Sequence, residues 1–262
     1  MKTEKVAEHI IKWLKEYAEN TKIKGFVVGV SGGIDSALTS TLCAKTGFPT
    51  LCVGLPIHQA ASHVSRAEEH IRQLKNNFKN VSDVNVDLTT TFENFKKAVP
   101  TEVSSAKVDL SLANTRARLR MTTLYYLAGL HSYLVIGTGN KVEDFGVGFY
   151  TKYGDGGVDL SPIADLMKSE VYELAAFLGV PNSIQKAQPT DGLFGDSRTD
   201  EAQIGASYDE LEWAMRMENK GQSENDFSGR EHEVFKIYTR LNNINQHKMT
   251  PIPVCKIPTK LK

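Results

Sequence analysis

Through its first half the chain alternates short apolar runs with amphipathic stretches. In residues 1–20, Val6, Ile10, Ile11, Leu14 and Tyr17 recur at helical spacing among charged neighbours, which predicts an amphipathic opening helix. Runs at 26–30 (FVVGV), 50–55 (TLCVGL), 84–88 (VNVDL) and 133–137 (YLVIG) read as short strands. Between them, residues 36–45, 62–76, 91–98 and 110–131 carry helical patterns. Strands separated by helices predict an α/β fold: a doubly wound parallel sheet with flanking helices and right-handed crossovers. Ligands of such sheets bind beyond the carboxyl ends of the strands.

The pattern then changes. Residues 138–164 are rich in glycine and charge and read as a functional loop. Residues 165–179 read as a helix ended by Gly179 and Pro181. A second long loop, expected to be mobile, covers 188–199. Helices are predicted over 200–219 and 228–242, and a tail with three prolines, 245–262, is expected to run over the surface. There is no internal repeat and no linker, so residues 1–262 are expected to form one domain.

Composition narrows the function classes. Lys+Arg and Asp+Glu both number 31, so the formal net charge is zero, which argues against a nucleic-acid binder that relies on a basic face. No apolar run approaches membrane-spanning length, and the charged first twenty residues do not resemble a secretion signal, so no membrane partner is expected. The three cysteines, Cys43, Cys52 and Cys255, are odd in number and far apart. They form neither a zinc cluster nor a disulfide framework, and a cytoplasmic location is expected.

Candidate chemistry concentrates after the first strand, where GFVVGVSGGIDS runs from Gly25 to Ser36. A strand ends in a two-glycine turn that opens a helix. Glycine lets the backbone approach a ligand closely, and the N–H groups of turn and helix N-terminus favour an anion. Ser31 and Ser36 add hydroxyls, and Asp35 offers a carboxylate to a cation. This is polyphosphate–magnesium chemistry, yet no Gly-Lys-Ser/Thr follows the glycines as in a Walker A loop.

SGGIDS resembles the pyrophosphate loop of the ATP pyrophosphatases, a Rossmann-like group that cleaves ATP between its α and β phosphates. Further motifs narrow the resemblance: Asn114 to Met121 (NTRARLRM), Thr138 with Glu143 five residues on, Thr151 to Leu160 (TKYGDGGVDL), Lys168, Pro189-Thr190 and His247-Lys248. Together they resemble the ammonia-dependent NAD synthetases from Tyr17 to Lys248, and TKYGDGGVDL is the most family-specific string.

The resemblance implies ATP-dependent amidation of deamido-NAD by ammonia through an acyl adenylate, giving NAD, AMP and pyrophosphate. It implies ATP contacts at Gly29, Val30, Ser31, Gly32, Gly33, Ile34, Asp35, Ser36, Thr138, Lys168 and Thr190. It implies deamido-NAD contacts at Tyr17, Asn114, Arg118, Lys152, Asp159, His247 and Lys248. Asp35, Lys168 and Asp159 are the expected catalytic residues, and Asp35 with Glu143 the expected Mg2+ ligands. Asp144 stands beside Glu143 as an alternative ligand; the spacing from Thr138 favours Glu143.

Asn114 and Arg118 are four apart and share a helix face, while Arg116 and Arg120 share another, which reads as a solvated basic stripe. The resemblance also implies a homodimer without a glutaminase domain. Leu112, Leu119, Leu124, Leu127 and Leu130 on the long helix are the expected apolar contribution to its interface. Two alternatives remain: another SGGxDS enzyme, GMP-synthetase-like or tRNA-modifying, and a nucleotide sensor without catalysis.

Overall fold

The computed structural model describes residues 1–100, 105–190 and 199–262. Four parallel strands form one sheet: β1 (Gly25–Gly29), β2 (Thr50–Gly54), β3 (Val81–Asn85) and β4 (Tyr133–Ile136), in the order β3-β2-β1-β4. Val27 pairs with Leu51 on one side and Val135 on the other. The chain thus builds outward from β1 to β3 and returns to add β4 on the far side. The strand order reverses between β1 and β4, and a ligand crevice is expected there.

Alternation along the strands feeds two cores. Phe26, Val28 and Ile136 pack with helices α1 (Thr3–Thr21), α2 (Ile34–Lys45) and α6 (Lys168–Phe177). Val27, Leu51, Val53 and Val135 face the opposite way, toward α4 (Thr89–Ala98) and α5 (Ser105–His131). A sheet covered on both faces explains why β1 and β2 read as continuous apolar runs. Helix α3 (Ala61–Asn77) covers β2 and β3 through Ala67, Ile71 and Leu74. Each fully buried side chain such as Phe26, Leu38 or Leu42 contributes about 1.5–3 kcal/mol.

A further core holds the C-terminal helices. Val142 and Val147 of a helical turn, Val142–Val147, pack with Leu211, Val234, Phe235 and Tyr238. They join α8 (Asp200–Ile204), α9 (Tyr208–Asn219) and α10 (Gly229–Met249). This packing fixes the turn that carries Glu143. A short helix, α7 (Asn182–Gln185), follows α6.

Several expectations shift. The third strand lies three residues earlier than 84–88. It is an edge strand, and its burial alternates too weakly to mark a register. The helix expected over 200–219 is two, because Gly205 takes a left-handed φ of +89° and ends α8. The 138–164 segment contains the Val142–Val147 turn, and α6 starts at Lys168. Helix α10 runs to Met249, so His247 and Lys248 are helical and not part of a surface tail. On α5, Leu112, Leu119, Leu124 and Leu127 pack into the chain's own core; Leu130 points outward, with Leu110 and Tyr126. Of the loop expected over 188–199, residues 191–198 lie outside the described residues. Among the described residues no helix is long and apolar enough to cross a membrane.

Candidate active site

The crevice between β1 and β4 opens into a cleft of about 810 Å3, within the range of ligand sites. Its floor is the β1–α2 turn. Ser31 N–H donates to Ser36 Oγ at 3.2 Å, Gly33 N–H to Ser31 Oγ at 3.2 Å, and Ser36 Oγ to Gly33 O at 3.0 Å. The two serines therefore brace the turn. Gly32 has φ +84°, and a Cβ there would lie 2.5 Å from His63 O, so backbone packing and conformation both demand glycine. Gly33 caps α2 with no side-chain acceptor. The first N–H groups of α2 thus lack intrahelical acceptors and form an anion site at the cleft.

Beside the turn stands a buried ion cluster. Lys168 Nζ lies 2.6 Å from Asp35 Oδ2 and 3.0 Å from Glu143 Oε1, and its side chain is 3% exposed. Asn140 Nδ2 donates to Asp35 Oδ1 at 3.0 Å, and the Tyr208 hydroxyl to Glu143 Oε1 at 2.6 Å. Burial raises Asp35 above the ordinary carboxylate value, and Lys168 only partly opposes it. Burial also works against the Glu143 charge, but Lys168 and Tyr208 together outweigh it and hold Glu143 low. Burial disfavours the Lys168 ammonium too; the two carboxylates outweigh that and raise it further. Lys168 opens α6, where its charge would oppose the helix dipole. The compensating anions are the protein's own.

Asp35 and Glu143 therefore point two hard oxygen donors at one cationic position. Mg2+ binds through one or two carboxylates plus phosphates and waters, so this donor pair fits it. No closed cage of three or more ligating side chains exists among the described residues. Asp144 projects along Gly139, whose missing Cβ would otherwise meet its carboxylate at 2.2 Å. Burial, then Glu143 and Asp155, raise the Asp144 carboxyl well above its ordinary value.

Thr138 and Thr190 also line the cleft. The remaining expected contacts gather at a different edge. Thr151 Oγ1 donates to Asn114 Oδ1 at 2.7 Å, and the Arg118 Nε and Nη2 groups each reach Lys152 O at 3.3 Å. Asn114 and Arg118 thus share the face predicted from their spacing. The Lys152 ammonium donates to His247 O. Lys248 Nζ donates to Gly148 O and Tyr150 O, both at 2.8 Å, and so holds the turn that precedes Thr151. Asp159 accepts from the Tyr125 hydroxyl at 2.9 Å through Oδ1 and from Val135 N–H at 2.8 Å through Oδ2, tying α5 to β4. Tyr17 lies on α1 beside Trp13, ring centroids 6.1 Å apart, and is not among the residues lining the cleft.

Arg116 and Arg120 are not a solvated stripe. The Arg116 guanidinium stacks on Phe92, 4.2 Å from the ring centroid. Arg120 lines the cleft, donating to Leu55 O at 3.0 Å and to Gln59 Oε1 at 2.8 Å. Sequence reasoning also passed over Asn140, Tyr208 and Asp200, although Asp200 Oδ2 lies 3.2 Å from the Tyr208 hydroxyl. The position of Asn140, four residues past β4, was the available signal for it; Tyr208 offered none.

Residues 6–252 match the protein family described as NAD synthase. The NH(3)-dependent NAD(+) synthetase of Mesoplasma florum is 40% identical over 214 residues, covering 81% of this chain and 84% of that protein. The synthetase of the same description from Methanosarcina mazei is 36% identical over 257 residues, covering 97% of this chain and 98% of its own length. Among solved structures, an NMN synthetase from Francisella tularensis superposes with a TM-score of 0.83 at 29% identity, covering 99% of both chains.

Proposed function

The chain belongs to the NAD synthase family, and from that premise we propose that it is an ammonia-dependent, AMP-forming carbon–nitrogen ligase acting on deamido-NAD. The observation that carries this reading is the braced SGGIDS turn facing the Asp35–Lys168–Glu143 cluster across one cleft. A carboxylate is a poor electrophile and an acyl adenylate a good one, so the site must position ATP and neutralise charge more than supply a strong base. The nicotinate carboxylate attacks the α-phosphorus, and pyrophosphate leaves with the electron pair of the broken P–O bond. Ammonia then attacks the acyl carbon, AMP leaves, and the nitrogen sheds a proton.

In this reading the turn N–H groups and Lys168 hold the ATP phosphates, with Thr138 and Thr190 along the same wall. Asp35 and Glu143 hold Mg2+, which supplies charge neutralisation at the phosphates. Arg118, Lys152 and His247 bind the part of deamido-NAD remote from the reacting carboxylate, with Asn114 and Lys248 shaping that edge. Asp159 acts by fixing β4 and Tyr125. Tyr17, on the outer face of α1, would serve a dinucleotide held between two copies of the chain. The same reading takes residues 1–262 as one synthetase domain, in a homodimer built on the outward residues of α5, located in the cytoplasm.

The likeness to an NMN synthetase favours one second reading, in which the acceptor is the smaller nicotinate mononucleotide. Measuring AMP release with ATP, ammonium and either acceptor tests both. Release that depends on deamido-NAD supports the first reading; release only with the mononucleotide supports the second. AMP release that needs neither acceptor, or ADP in place of AMP, would refute both.

A further inference from the structure

Arg66 lies on α3, outside every motif of the family resemblance. Its Nε donates to Gly32 O at 3.3 Å, within the SGGIDS turn itself. Its Cβ lies 3.3 Å from where a Gly32 Cβ would stand, and the side chain lines the cleft, partly buried. Arg66 has no carboxylate partner among the described residues, whereas Lys75, further along the same helix, is paired with Asp83 at 2.5 Å. One edge of a guanidinium is thus fixed to the turn and the terminal nitrogens remain for a ligand. A planar fork held this way suits two phosphate oxygens at once.

We propose that Arg66 is a pyrophosphate-binding residue, a cation opposite Lys168 that holds the β and γ phosphates of ATP and then the leaving pyrophosphate. The inference rests on the ATP-cleaving reading above. When the bond from the α-phosphorus to its bridging oxygen breaks, the electron pair and the new charge go to that oxygen. The Lys168 charge is already shared by Asp35 and Glu143. Arg66 supplies an unshared positive charge on the side of the turn formed by α3. A donor aimed where charge develops is worth more than one that binds substrate and product alike.

The test is titration of inorganic pyrophosphate, and separately AMP, into wild type, Arg66→Lys, Arg66→Gln and Arg66→Ala. Gln keeps a donor for Gly32 O and loses the charge. Pyrophosphate binding is expected to weaken about tenfold or more in the Gln and Ala variants and about threefold in Lys, with AMP binding within twofold of wild type. The Gln variant carries the test if the Ala variant fails to fold. Wild-type affinity for pyrophosphate in Arg66→Gln, or equal loss of AMP and pyrophosphate binding, would overturn the proposal, as would no pyrophosphate binding by wild type. A wild type that binds pyrophosphate through Arg66 yet releases no AMP in turnover would instead overturn the functional reading.

Discussion

The two ends of the site are built on opposite principles. At the β1–α2 turn, Lys168 is withdrawn from water between half-buried Asp35 and Glu143, and the carboxylates are locked by Asn140 and Tyr208. At the far edge, Arg118 and His247 are exposed and Lys152 is half-buried, and the cations rest on backbone carbonyls. Buried charge is costly unless every partner is present, so the first end is preorganised and intolerant of change. Exposed cations on long side chains keep their charge available to an arriving anion and are screened by salt. In the proposed reading, the same polypeptide would separate the chemistry, which needs fixed geometry, from capture of a large anionic substrate, which needs reach.

The largest effect should come from removing the cation that both carboxylates share. Lys168→Met is expected to cost about 3 kcal/mol of stability, because two half-buried carboxylates are left facing each other without their cation. Mg2+ should raise the melting temperature of this variant more than that of wild type. Equal Mg2+ shifts in both would show that the carboxylates do not converge on a cation site.

Asp35→Asn comes next. Turnover should fall about a hundredfold or more with the fold intact, since the change removes a charged oxygen and no packing. Steady-state assays across a Mg2+ titration check this, and near-normal activity would move the metal elsewhere.

The buried end has a further support, His70, which lies against α2 with Nε2 2.9 Å from Ser40 Oγ. Burial lowers its pKa from 6.5 to about 4. The unfolded chain takes up this proton below about 6.5 and the native protein does not, so native stability falls as pH drops from 6.5 to 4. The loss should approach about 3 kcal/mol, read from urea unfolding at a series of pH values. A flat profile over that window would show that His70 is protonated without cost; His70→Gln should remove this part of the slope.

The smallest expected effect is at the exposed edge. Arg118→Ala should raise KM for deamido-NAD about tenfold and KM for ATP little. Rising salt should reproduce part of that loss in wild type. Arg116→Ala should leave both constants within about twofold while lowering stability through the lost Phe92 stack. Equal kinetic effects of the two variants would erase the distinction between the ends.

How far the sequence reveals this division follows from the same physics. The central strands, the SGGIDS turn and the Asn114–Arg118 face are legible because period, glycine and spacing are local signals. The edge strand β3 is misread because water covers much of it. Arg120 looks like a solvated helix charge until tertiary packing brings Leu55 O to it. The leucines of α5 look like an interface, yet most of them fill the chain's own core. Glu143 is named by the family resemblance and preferred to Asp144 by its spacing from Thr138, whereas its partner Tyr208 lies sixty-five residues away in sequence.

Central to the account is the acyl adenylate, and isotope transfer tests it directly. Deamido-NAD carrying 18O in the nicotinate carboxylate should be converted with ATP and ammonium, and the products weighed by mass spectrometry. The account predicts one labelled oxygen in each AMP and none in pyrophosphate. Unlabelled AMP, or label in inorganic phosphate with ADP as the nucleotide product, would contradict it.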